Sequence, residues 1–329
     1  MPRSGGVMVV AEAAEGGLAP ISAELAAVGR TLADELSQPL SAVLLGSGLA
    51  AAVEELARLG PDRVLVADDL GLADYQADAY LAVLAPLVRE EGPEILLLGQ
   101  TPSMRELAPR LAFRLGTGLT TDCTALRIED GVMVMTKPVF GGSALSELSI
   151  PEARPQIATV RARVFQPAPP RQDRQAEVRH LEVKLDAVRT RVLETVREAA
   201  SSGPRLKDAK VVVSGGRGLG GPENWNYVEQ LAETLGAAVG ATRAVTDAGW
   251  VPSAFQVGLT GVTISPDLYI TVGVSGAVQH IAGCSGARNI VAINKDPDAN
   301  IFKHARFGVV ADYKQVVPAL TQRIKELRG

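Results

Sequence analysis

Short aliphatic runs recur along this chain, and the stretches between them carry apolar residues at helical spacing. The runs fall at residues 7–11, 42–45, 63–67, 95–98, 211–213, 269–274, 290–293 and 309–311. They lack the apolar–polar alternation of a strand with one wet face, so they predict strands buried on both faces, the condition of a parallel sheet. The stretches 19–36, 74–89, 104–115, 227–235 and 313–327 each predict an amphipathic helix able to cover one face of such a sheet. This order of elements calls for an α/β fold. At 329 residues the chain exceeds what one core usually serves, so two domains are expected, each a mostly parallel sheet flanked by helices.

The middle of the chain differs. Residues 122–163 are rich in Val, Thr, Met and turn glycines and predict strands or hairpins around Gly131 and Gly141–Gly142 that extend the first sheet. A Pro-rich segment, PAPPRQDR at 167–174, follows. The better linker is the polar stretch 197–210 with SSGPRLKDAK, because a fresh strand begins directly after it. The boundary is placed there, giving domains 1–198 and 199–329.

Composition removes several functions. A net charge of −4 and no Lys/Arg stripe give no footprint for nucleic acid. Cys123 and Cys284 stand far apart without metal-ligand spacing, so neither a disulfide framework nor a metal site is expected. No signal segment opens the chain and no apolar run is long enough to span a bilayer, so a cytoplasmic protein, not membrane-embedded, is expected.

Chemistry gathers at strand ends in the second half. VVVSGGRGLGGPENW at 211–225 is a strand entering a glycine-rich turn, where backbone N–H groups can approach a phosphate and Arg217 can add a charged fork. No P-loop is present, and an ordinary glycine-rich turn with an exposed arginine competes. LYITVGVSGAVQHI at 268–281 places Ser275, Gly276 and Ala277 at another strand end, with His280 one helical turn on. A nucleophile elbow at Ser275 is the rival reading there, and a packed histidine the bland one for His280. Asn294 and Asp312 end two more strands. Four such ends on one sheet edge describe the ligand cleft of a doubly wound dinucleotide-binding fold. The segment 241–261, ATRAVTDAGWVPSAFQVGLTG, is ambiguous as chemistry alone. In the first half, Gly46-Ser47-Gly48 is a weak phosphate-loop candidate, better read as a turn.

SGGRG, GATRAVTDAGW, QVGLTG, LYITVGVSGAVQH and VAINKDPDANIF, in this order, closely resemble the alpha subunit of electron transfer flavoproteins. LAPRLAFRLGTGLTTD at 107–122 and PQIATVRARVF at 155–165 resemble that family's first domain, so the likeness covers most of the chain. It implies FAD on the second domain, with Arg217 and Ser275 near the pyrophosphate and Asn294 and Asp312 toward the adenosine. By the same likeness Arg243 lies against the isoalloxazine, Gln256 and Thr260 near its C4 carbonyl and N5, and His280 near O2. Thr242, Val257, Gly258, Gly261, Gly276, Ala277 and Gln279 complete the implied cofactor contacts. A guanidinium and an imidazole there would stabilise the negative charge of a reduced flavin.

The resemblance further implies a heterodimer with an electron transfer flavoprotein beta subunit, which in some members binds AMP or a second FAD. The first domain would be structural and dock that partner. The chain would be an electron carrier without a substrate-transforming site, taking electrons from flavin dehydrogenases and delivering them to a quinone reductase or other acceptor. Two positions depart from many relatives: Leu259 stands where they have Gln, and Thr242 where they have Ser. Two other functions compete: a self-contained enzyme, either NAD-linked oxidoreductase or Ser275 hydrolase, and a non-catalytic nucleotide sensor.

Overall fold

The computed structural model describes residues 5–14, 16–142, 144–167, 169, 176–185, 188, 190, 192–195, 204–207 and 209–328. The chain forms two compact units, one of Met1–Val139 with Leu145–Val196, the other of Phe140–Ala144 with Arg197–Gly329. The expected boundary between 198 and 199 and most of the PAPPRQDR segment lie outside the described residues.

The first unit is built on a seven-stranded sheet. Its strand order is Glu177–His180, Arg63–Asp68, Leu40–Gly46, Val7–Ala11, Ile95–Gly99, Gln156–Val160 and Leu119–Cys123, and every neighbouring pair runs parallel. Side chains alternate between the faces of a strand. Val7, Val9 and Ala11 therefore join one core with Leu25, Leu32 and Leu56 of the helices Pro20–Glu35 and Ala50–Ala57. Met8 and Val10 join the opposite core with Leu84, Val88 and Leu107 of the helices Ala77–Glu91 and Pro102–Leu115.

The middle stretch divides, which corrects the expectation that all of it extends this sheet. Leu119–Cys123 and Gln156–Val160 do so, whereas Ala125–Glu129, Val132–Val139 and Ala144–Ser149 form a separate three-stranded sheet. Asp130 and Gly131 both have positive φ, 49° and 77°, the two-residue turn that folds a strand straight back. The resulting pair is antiparallel. It sends Met133 and Met135 inward against the first core and leaves Val132 and Val134 on its other face only half-buried, so it covers a core instead of entering a sheet buried on both sides.

The turn Gly46-Ser47-Gly48 is closed from within. Asp68, ending the neighbouring strand, accepts the N–H groups of Gly48 at 2.8 Å and Leu49 at 2.9 Å through its two carboxylate oxygens. The donors a phosphate would need already hold an anion.

The second unit has five parallel strands in the order Ala238–Ala241, Val211–Gly215, Leu268–Val272, Ile290–Asn294 and Phe307–Val310. Helices Asn226–Leu235 and Tyr313–Arg328 cover one face, packing Leu231 and Val317 on Val213, Ile270 and Ile293. Val278–Cys284 covers the other, packing Ile281 and Cys284 on Val212, Tyr269 and Ala292. Crossovers leave in opposite directions from the pair Val211–Gly215 and Leu268–Val272, which makes this pair the switch point, where a doubly wound sheet opens a crevice at its carboxyl edge.

Candidate functional site

Two turns meet at that switch point without side chains between them. The Gly216 N–H donates to the Val272 carbonyl at 2.9 Å and the Gly218 N–H to the Gly273 carbonyl at 3.0 Å. A Cβ on Gly216 would lie 2.3 Å from the Gly273 oxygen, and one on Gly218 2.7 Å from it. The glycines are therefore required by backbone-to-backbone packing of the turns. This contact lifts Arg217 to the surface, where it has no ion-pair partner among the described residues.

The Ser275 turn is braced from behind. Its carbonyls are tied: Val274 O accepts Asn294 Nδ2 at 2.9 Å, Ser275 O accepts the Ile301 N–H at 3.0 Å, and Gly276 O accepts Asn300 Nδ2 at 2.7 Å. Gly276 holds φ +82° where a Cβ would lie 2.3 Å from Ile301 N. The N–H groups of residues 274–277 donate to no backbone carbonyl among the described residues, and Ser275 and Ala277 are exposed. An exposed guanidinium, an exposed hydroxyl and uncommitted amides at one switch point are the donor set a pyrophosphate takes. On that chemistry the residues fit a dinucleotide.

Asn294 and Asp312 also serve the protein. Asn294 Oδ1 accepts the Asp296 N–H at 3.1 Å, and Asp312 Oδ1 accepts the Lys314 N–H at 2.9 Å, capping the last helix. Asp312 is exposed at the same edge.

The second wall of the crevice is the 242–261 stretch. The Thr242 N–H bonds Gly215 O at 3.1 Å and the Val257 N–H bonds Ala241 O at 2.9 Å, fixing both ends of the loop beside the edge strand. Gln256 is buried, 8% exposed. Its Oε1 accepts the Thr246 hydroxyl at 2.9 Å and its Nε2 donates to Thr260 Oγ1 at 3.0 Å. Gly261 is needed because a Cβ there would lie 2.3 Å from Gln256 O. Arg243 is exposed and pairs with Asp247 at 3.1 Å. The Leu259 N–H donates to the carbonyl of Gln279 at 2.8 Å, and the Leu259 side chain is 66% exposed. Gly258 lies so near the helix Val278–Cys284 that a Cβ on Gly283 would come within 2.4 Å of the Gly258 Cα.

His280 is buried, with Nδ1 3.0 Å from Val257 O and Nε2 2.8 Å from Tyr269 Oη. A carbonyl only accepts, so Nδ1 carries the proton and Nε2 accepts the tyrosine hydroxyl. Desolvation pulls its pKa from 6.5 down to about 4. The imidazole is therefore neutral and packed, and contact with a flavin ring oxygen would require exchange of one of these two bonds. The Ser275 hydrolase reading also loses its base, since neither imidazole nitrogen is free to take a proton from Ser275. Thr246, Tyr269, Gly273 and Asn300 were not singled out by the sequence; only the glycine-rich context of Gly273 carried a local signal.

The fold and these strand-end loops define a dinucleotide-binding α/β protein. Residues 7–186 match the electron transfer flavoprotein domain and residues 205–285 the electron transfer flavoprotein FAD-binding domain. The chain is 42% identical over 329 residues to the electron transfer flavoprotein subunit alpha of Thermoanaerobacterium thermosaccharolyticum, covering 98% of each. It is 44% identical over 326 residues to Protein FixB of Clostridium saccharobutylicum, covering 98% of this chain and 97% of that one. It is 39% identical over 322 residues to the alpha subunit of Bacillus subtilis, covering 98% of each. The chain belongs to the electron transfer flavoprotein family, as an alpha subunit. Its cofactor is FAD and its role is electron transfer; an alpha subunit implies a beta-subunit partner. Among the described residues no helix is long and apolar enough to cross a membrane, and no cluster suited to a metal ion is found.

Proposed function

We propose that the chain carries electrons in the cytoplasm, in a heterodimer with the beta subunit, from flavin dehydrogenases to a quinone reductase or other acceptor, and transforms no substrate itself. The observation that carries this reading is the convergence, on one switch point, of Arg217, the Ser275 turn and the Thr242–Gly261 loop, with neither imidazole nitrogen of His280 free for acid–base work. FAD supplies the redox chemistry when bound.

In this reading Arg217 and the amides of Ser275, Gly276 and Ala277 hold the pyrophosphate, and Asp312 offers its second carboxylate oxygen to a ribose hydroxyl. Asn294 fixes the Ser275 turn and faces the adenosine. Arg243 can leave Asp247 at small cost, because an exposed pair contributes at most about 1 kcal/mol, and then lie against the isoalloxazine. Thr242, Gln256, Val257, Gly258, Thr260 and Gly261 line the flavin side. Gln279 and His280 hold that loop, the first through its carbonyl to Leu259 and the second through its bond to Val257 O. The first unit, whose Gly46-Ser47-Gly48 turn is closed by Asp68, docks the partner.

Co-expression with the beta subunit, followed by a visible spectrum and anaerobic reductive titration, tests this reading. A yellow complex with reducible FAD that passes electrons from a dehydrogenase to a quinone-linked acceptor is expected. A complex without flavin, or turnover by the isolated chain, would sink it.

A further inference from the structure

Three side chains outside the pyrophosphate turns form an unbroken hydrogen-bond chain. Thr246 Oγ1 lies 2.9 Å from Gln256 Oε1 and 3.0 Å from Arg243 O, and Gln256 Nε2 lies 3.0 Å from Thr260 Oγ1. Gln256 is buried while Thr260 is exposed, so the chain runs from the interior to the cleft. The Thr246 hydroxyl has one proton and two acceptors within reach. With that proton on Gln256 Oε1, the amide must donate to Thr260, and Thr260 presents its own proton to the cleft. With it on Arg243 O, the amide can turn over, donate to Thr246 Oγ1 and accept from Thr260. Thr260 then presents only lone pairs. Both directions satisfy every polar atom of Gln256.

We propose that Thr246 and Gln256 are positioning residues whose hydrogen-bond chain reverses direction with the oxidation state of the flavin, making Thr260 a donor to oxidised N5 and an acceptor from reduced N5–H. The proposal rests on the FAD reading above. When bound, FAD would take two electrons from the reduced flavin of the dehydrogenase, and the proton at N5 would come from water. The chain gains and loses no proton; its hydroxyls and amide only exchange partners.

The test uses the heterodimer with FAD, labelled at glutamine side-chain nitrogen and threonine methyl carbon. In the oxidised complex the Gln256 amide protons should show nuclear Overhauser contacts to the Thr260 methyl, and after anaerobic reduction to the Thr246 methyl. The same contact in both states overturns the proposal. Thr246→Val gives an independent measurement. A buried orphan N–H is tolerated less well than an under-satisfied carbonyl, so the variant keeps the amide donating to Thr260 and favours oxidised FAD. Reduced FAD should lose up to about tenfold in relative affinity, a fall of about 30 mV in the two-electron potential. An unchanged or raised potential counts against the chain. A complex with no reducible FAD overturns the functional reading and the chain with it, whereas bound, reducible FAD with a fixed amide overturns the chain alone.

Discussion

At the scale of single residues, the site depends on which polar atoms are already committed. Tyr269 is buried and donates to His280 Nε2, so Tyr269→Phe leaves that nitrogen without a partner. Loss of about 1–3 kcal/mol is expected, read by urea denaturation of the chain with its partner. His280 also sets a pH dependence. Its folded pKa is about 4 against 6.5, so between these values the unfolded chain binds the extra proton. Stability from this group is present above about pH 6.5 and is lost as pH falls toward 4, by up to about 3 kcal/mol. Imidazole carbon shifts should remain those of the neutral Nδ1–H form down to pH 5; protonation near 6.5 would contradict this environment. Arg217 is exposed and has no ion-pair partner among the described residues, so Arg217→Ala should act on the cofactor, weakening FAD by about tenfold or more with little change in the melting of the FAD-free protein.

At the scale of elements, glycine contacts decide how the cleft holds its shape. The helix Val278–Cys284 meets the loop at Gly283 and Gly258, backbone on backbone. Gly283→Ala must push the two apart, costing about 1–3 kcal/mol and weakening FAD through displacement of residues 257–260; a flavin titration reads the second effect. The parallel strands and long helices were legible because continuous aliphatic runs and helical spacing are strong signals. Glu177–His180 was not, being an exposed edge strand without apolar residues on both faces. Ala238–Ala241 and Ala50–Ala57 were missed for another reason: small residues pack well in either state and give no period. The strand ends bearing Arg217, Ser275, Asn294 and Asp312 were legible, as they follow the runs directly. The partners of His280 and Gln256 were not, because Tyr269 and Thr246 reach them only through the tertiary fold.

At the scale of the whole molecule, two units with separate cores and one cofactor site should respond unequally to ligand. FAD at about a hundred times its dissociation constant stabilises the state that binds it by about 2.7 kcal/mol. Calorimetry of the heterodimer with increasing FAD should raise the transition assigned to the second unit and leave that of the first within error. Movement of both by equal amounts would mean that the two cores unfold as one. Net charge of −4 adds a simple control, since polyanions such as heparin should not compete with FAD.

The closed turn of the first sheet bears on stoichiometry. Asp68 is a covalently tethered anion, present beside the Gly48 and Leu49 amides at an effective concentration that no dissolved nucleotide matches. That turn is inhibited by its own chain, so an excess of AMP or FAD should find no berth at Gly46-Ser47-Gly48, and a second nucleotide on the complex would have to be held elsewhere.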